Sequence, residues 1–144
     1  MPRPKGGYKL ADGSRVPANG TIREQWGLNK RPLMFWANKK GLEGKSLQDA
    51  EQEETTIGTI IHALIEADLR NKPIPAPEYP QDWKDRIENG MLGYYEWRSS
   101  SNVTVTHSEI VLVSEVHKFG TTPDFPSLVN GRRSLIQLKT AEGI

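Results

Sequence analysis

The chain contains no cysteine, which excludes disulfides and thiolate metal sites and agrees with a reducing compartment. It also lacks any apolar run approaching the length of a membrane span. The opening Met1-Pro2-Arg3-Pro4-Lys5-Gly6-Gly7 has no apolar stretch of the kind a signal peptide needs. The expectation is a soluble, cytoplasmic protein. With no secretion signal, the Asn102-Val103-Thr104 sequon carries little weight. An excess of charge is missing too: 19 Lys and Arg against 18 Asp and Glu leave a net +1. A global positive field is therefore absent, and any nucleic-acid contact must come from local patches. Internal repeats and long low-complexity tracts are absent as well.

What is present fits one small domain with a modest core, since the chain has 144 residues. Residues 1–22 are rich in Gly, Pro and polar side chains, and Tyr8-Lys9-Leu10 and Arg15-Val16-Pro17 read as a small hairpin about Ala11-Asp12-Gly13-Ser14. Residues 23–45 interleave Arg23, Trp26, Lys30, Arg31, Phe35, Trp36, Lys39 and Lys40. A helix near 31–40 ending at Gly41 is expected there. Two readings stay open for this tract: aromatics packed in the core under a solvated cationic face, or a strand-binding surface of cations and stacking rings.

Residues 46–71 read as one or two helices. Ile57, Ile60, Ile61, Leu64, Ile65 and Leu69 recur at helical spacing, and Asn71 and Pro73 end the pattern. A Pro-rich linker over 73–80 leads to a second helix from about Asp82 to Arg98, with Trp83, Ile87, Met91, Tyr94 and Tyr95 along one side; Gly90 and Gly93 weaken it. Strand character then takes over across 107–116, where Ile110-Val111-Leu112-Val113 reads as a strand covered on both faces. Two further strands are expected, near 121–129 and 133–140, joined by the hairpin dipeptide Asn130-Gly131.

That turn has a geometric consequence. If Val129 faces Arg132, pairing outward from the turn sets Asp124 opposite Gln137, with Cβ atoms of facing residues ~5 Å apart. Period-two alternation puts Gln137 and Lys139 on one face, and Ile136 and Leu138 on the other, buried face. An acid, an amide and an amine then converge. A carboxylate beside an amide oxygen suits a hard cation. A nearby ammonium can orient a water or stabilise charge on a phosphoryl group. Pro126 is the weak point, because a mid-strand proline implies an edge or a bulge, and a bulge would shift the register by one. On the helix, His62 borders the apolar stripe, one turn after Gly58 and one turn before Glu66.

Taken together, Gly58-Thr59-Ile60-Ile61-His62-Ala63-Leu64-Ile65-Glu66, then Ser108-Glu109, then Gly120-Thr121-Thr122-Pro123-Asp124-Phe125, then Leu135-Ile136-Gln137-Leu138-Lys139-Thr140 resemble, in order and spacing, the motifs of RecB-type nucleases of the PD-(D/E)XK superfamily. The resemblance spans residues 57–144 and is greatest to exonuclease-like proteins of phages. The tracts Tyr8–Gly13 and Phe35–Gly41 resemble such sequences more loosely.

The resemblance implies an α/β fold of α+β kind: a restriction-endonuclease-like core with helices packed on a small mixed sheet. Residues 46–144 would form the core, and residues 1–45 an N-terminal extension carrying the aromatic and basic tract. His62, Asp124 and Gln137 would ligate Mg²⁺ or Mn²⁺, Lys139 would be the catalytic lysine, and Glu109 an accessory acid. The implied activity is metal-dependent phosphodiester hydrolysis on DNA, at duplex ends or on single strands, in the host cytoplasm if the protein is phage-encoded. Arg23, Lys30, Arg31, Trp36, Lys39 and Lys40 are the candidate nucleic-acid contacts.

The sequence departs from the family pattern in two ways. Gln137 stands where the pattern has Asp or Glu, which lowers the charge offered to a cation. The family also continues into a helix beyond the third strand, whereas this sequence stops at Ile144; a truncated chain, a natural fragment, and an oligomer or partner subunit completing the fold are the open alternatives. The alternative functions are a nuclease-derived nucleic-acid-binding module that has lost activity, and a phage assembly protein.

Overall fold

The computed structural model describes residues 4–26, 31–74, 78–107 and 110–140. Among these the chain is mixed α and β, with helices and small antiparallel sheets. The elements are β1 (Tyr8–Lys9), β2 (Arg15–Val16), α1 (Asn19–Gln25), α2 (Arg31–Leu42), α3 (Leu47–Leu69), α4 (Gln81–Ser99), β3 (Val103–Val105), β4 (Leu112–Ser114), β5 (Phe119–Thr121), β6 (Phe125–Val129) and β7 (Arg132–Ile136).

Residues 46–71 form one helix, not two. Ser46 caps α3 by accepting from the Asp49 N–H at 3.1 Å. At the other end Asn71 takes a left-handed conformation (φ 52°), the Asn71 N–H bonds the Asp68 carbonyl and the Lys72 N–H bonds the Ala67 carbonyl. This paired pattern closes a helix C-terminus, with Asn in the position glycine usually takes.

The predicted apolar stripe is the core. Ile57, Ile61, Leu64, Ile65 and Leu69 of α3 meet Ile87, Met91 and Tyr94 of α4, with Val103 and Phe125 from the sheet. Gly90 does not break α4. A Cβ there would lie 2.8 Å from Ile61 Cδ1, so glycine lets the two helices approach. Lys45, Glu53, Arg86 and Glu54 form a continuous ion-pair chain from the loop before α3 across to α4.

The three-stranded sheet has the order β3-β6-β7, all antiparallel. The register is the one expected from Asn130-Gly131: Val129 faces Arg132 and pairing continues to Phe125 opposite Ile136. Both turn residues have positive φ (51° and 77°), as this tight turn requires. Pro126 causes no bulge; it faces Leu135 in register. Alternation of bonded pairs aims its nitrogen at β3, away from β7. Thr106 N–H donates to the Pro126 carbonyl at 2.9 Å, proline has no N–H to return, and β3 stops at Val105.

Three expectations are corrected here. Among the described residues the sheets are antiparallel, with one parallel bridge from Ala18 to Gly120, where a mixed sheet was expected. The run Ile110–Val113 is not a doubly covered strand: only Leu112–Ser114 pair, with β5, and Val111 is 45% exposed. The strand expected over 133–140 ends at Ile136.

Candidate active site

Strand β7 ends where it does because of its partner. Continuing the ladder, the Leu138 N–H would seek the backbone at Pro123, which has no N–H to complete the pair. The Asp124 side chain takes over instead. Its Oδ2 accepts the Leu138 N–H at 2.8 Å and the Gln137 amide Nε2 at 2.6 Å. Asp124 is only 5% exposed, so these charge-assisted bonds are what make its burial tolerable. The predicted meeting of Asp124 with Gln137 is therefore present. It extends the paired strands by side-chain bonds, and among the described residues Oδ1 of the carboxylate receives no hydrogen bond.

Because a carboxylate only accepts, the Gln137 amide presents nitrogen to Asp124 and keeps its oxygen for another partner. Gln137 and Lys139 are both exposed, while Ile136 and Leu138 pack partly buried against the core, as the alternation predicted. Thr140 then runs under α3: a Cβ on Gly58 would lie 2.7 Å from Thr140 Oγ1. The helix motif and the strand motif thus touch at the bare backbone of Gly58, which is buried. His62 follows one helical turn later on the same face, half-buried.

The segment leading into Asp124 is held from the N-terminus. The Tyr8 side chain packs against Gly120, where an added Cβ would come within 2.2 Å of Tyr8 Cγ. The Tyr8 hydroxyl shares a 3.0 Å hydrogen bond with Thr122 Oγ1, and Gly120 N–H donates to the Pro17 carbonyl at 3.0 Å. The β1–β2 hairpin therefore braces the loop that aims Asp124. Sequence reasoning identified the hairpin but not this docking. It also missed the Leu138 N–H, a group every non-proline residue carries and no composition signals.

Glu109 and Lys30 lie outside the described residues. Among the described residues no three His, Cys, Asp or Glu side chains gather as a metal-binding group. Of the candidate nucleic-acid contacts, Arg23 on α1 and Arg31 and Lys39 on α2 are exposed, and Trp36 is half-buried. Lys40 departs from expectation: it is 5% exposed, with its ammonium 3.6 Å from Glu43, and so drops out of that surface. The core-packing reading of the neighbouring aromatics fails for Trp26 (84% exposed) and Phe35 (73%). Among the described residues no helix is long and apolar enough to cross a membrane. Compared with family models, with curated proteins and with solved structures, the chain matches none.

Proposed function

We propose that this protein is a metal-dependent DNA nuclease with a restriction-endonuclease-like core, an exonuclease of phage-type DNA processing or recombination. One observation carries the reading: Asp124, buried and pinned by Gln137 and Leu138, sits directly before the Lys139-Thr140 segment that abuts the helix bearing Gly58 and His62. Three of the four motifs, distant in sequence, come together among the described residues: the helix at Gly58, the segment of Asp124 and the strand end from Gln137 to Thr140.

The two oxygen donors suit a hard divalent cation, and the imidazole adds a softer ligand. Asp124 Oδ1, the Gln137 amide oxygen and the His62 imidazole would hold Mg²⁺ or Mn²⁺, which supplies a Lewis acid for the phosphoryl oxygen and a water of lowered pKa. The protein's own groups do the rest. Asp124 keeps its carboxyl group out of bulk water. Lys139 offers an exposed ammonium to the charge that builds on the phosphoryl oxygens as water adds to phosphorus and the ester oxygen leaves.

The test is Mn²⁺-dependent degradation of end-labelled DNA. The expected result is shortening by the native protein and at least ~100-fold less by Lys139→Ala, the scale of losing one charge-stabilising group. Equal inertness of both proteins across Mg²⁺ and Mn²⁺ would refute catalysis.

A second reading, a nuclease-derived DNA-binding module without activity, is favoured by one detail: the Gln137 amide already occupies Asp124 Oδ2. It predicts DNA binding with no metal-dependent shortening.

A further inference from the structure

The most unusual surface of the molecule is α2. Leu33, Met34, Phe35 and Leu42 are 61%, 69%, 73% and 82% exposed, and Trp26, just after α1, is 84% exposed. From Gln25 to Leu42 the sequence has no acidic residue but includes Lys30, Arg31, Lys39 and Lys40. On the described surface the cations of this stretch are Arg31 and Lys39, with Arg23 nearby on α1; Lys40 is buried against Glu43, and the acids Glu24 and Glu43 flank the stretch.

The order of residues around α2 decides what such a face fits. Arg31, Phe35 and Lys39 follow one another at successive turns of one face, ~6 Å apart along the axis. Leu42 falls on the same side, one heptad past Phe35. Cations therefore bracket an exposed ring on both sides instead of lying opposite it. A helix that enters a membrane surface segregates its cations from its apolar face. Two copies of this chain packed antiparallel through α2 would set Arg31 against Lys39, like charge against like.

An unpaired nucleic-acid strand meets both demands at once. Its bases stack on exposed rings, and its phosphates on either side meet cations. A duplex hides its base faces and would leave Phe35 and Trp26 in water.

We propose that α2, with Trp26, is a stacking platform for single-stranded nucleic acid, in which Phe35 and Trp26 carry bases and Arg31, Lys39 and Arg23 carry phosphates. The proposal deepens the nuclease reading by naming the strand state of its substrate, but it stands apart from the chemistry at Asp124.

The experiment measures anisotropy of a fluorescein-labelled single-stranded oligothymidine, about a dozen nucleotides long, titrated in chelator so that no hydrolysis intervenes. A matched duplex and anionic phosphatidylglycerol vesicles serve as alternative ligands. The single strand is expected to bind most tightly. Phe35→Ala and Trp26→Ala should each weaken it about 10-fold, within the range for one lost stacking contact. Lys39→Gln should lower the slope of log affinity against log salt by ~0.7, one single-strand phosphate contact. These side chains are exposed, and unchanged thermal melts would show that the variants fold.

No binding at low salt, tighter binding to the duplex or to vesicles, or full affinity in Phe35→Ala and Trp26→Ala would each overturn the proposal. A chain that binds but never cuts refutes only hydrolysis. A chain that cuts but ignores Phe35→Ala and Trp26→Ala refutes only the α2 platform.

Discussion

Gln137→Glu probes the site most directly, because it puts an acid beside Asp124 and removes a donor at the same stroke. In the native chain Gln137 Nε2 donates to Asp124 Oδ2 at 2.6 Å. The variant places a carboxylate there. At ~3 Å and an effective dielectric of ~20, two full charges repel by ~5 kcal/mol. Residue 137 is exposed, so the new side chain swings into water and most of that repulsion relaxes. What stays lost is a hydrogen bond to a charged acceptor, ~1.5–3 kcal/mol. In a domain of this size that lowers Tm by ~5–10 °C. A cation shared by two carboxylates reverses the effect, and at about a hundredfold excess over Kd it returns ~2.7 kcal/mol. Thermal melts followed by circular dichroism, in chelator and then in excess Mn²⁺, give four numbers. The expected pattern is a variant less stable than the native protein in chelator and raised more than it by Mn²⁺. Gln137→Met, which loses the donor without adding charge, should show the first effect and not the second. Identical melts in chelator, or an equal Mn²⁺ response in all three proteins, would refute the reasoning.

Other perturbations test the scaffold around the site. Gly120→Ala forces a Cβ to within 2.2 Å of Tyr8 Cγ; urea denaturation should show a loss of ~2–3 kcal/mol. Combined with Tyr8→Gly, which removes the Cβ as well as the ring, the loss should be well below the sum of the single effects, because the clash is gone. Gly58→Leu pushes against Thr140 Oγ1 and so displaces the segment bearing Lys139. The proposed DNA hydrolysis should fall further than the ~1–3 kcal/mol lost in stability accounts for. Burial, and then the hydrogen bond to Asp68 at 2.5 Å, raise the Tyr94 hydroxyl far above the ordinary tyrosine range. Its contribution is thus complete below pH ~10, the unfolded value, and is lost as pH rises towards the folded one. Native stability should decline above pH ~10 in denaturant titrations, and Tyr94→Phe, weaker at neutral pH, should lose that part of the decline.

Much of this molecule was legible in its sequence because the signals are local. Apolar spacing marked α3 and α4, since a helix face repeats within a few residues. Asn130-Gly131 fixed a hairpin register to the residue, because two positive φ angles and period-two alternation leave one solution; the meeting of Asp124 with Gln137 followed from it. Other features needed the tertiary structure, because they depend on which surfaces meet. Nothing near Tyr8 in the chain announces that its hydroxyl will bond Thr122, 114 residues away, or that Gly120 is bare to admit its ring. Nothing in Pro123 alone says that the next carboxylate will replace the missing ladder bond. The apolar run Ile110–Val113 looked buried because hydrophobicity records a preference for cover, and cover is supplied by neighbours. The same reason works in reverse on α2: its rings would suit a core, yet α3 presents its apolar stripe to α4 and the sheet, so Phe35 stays in water while Lys40 is buried.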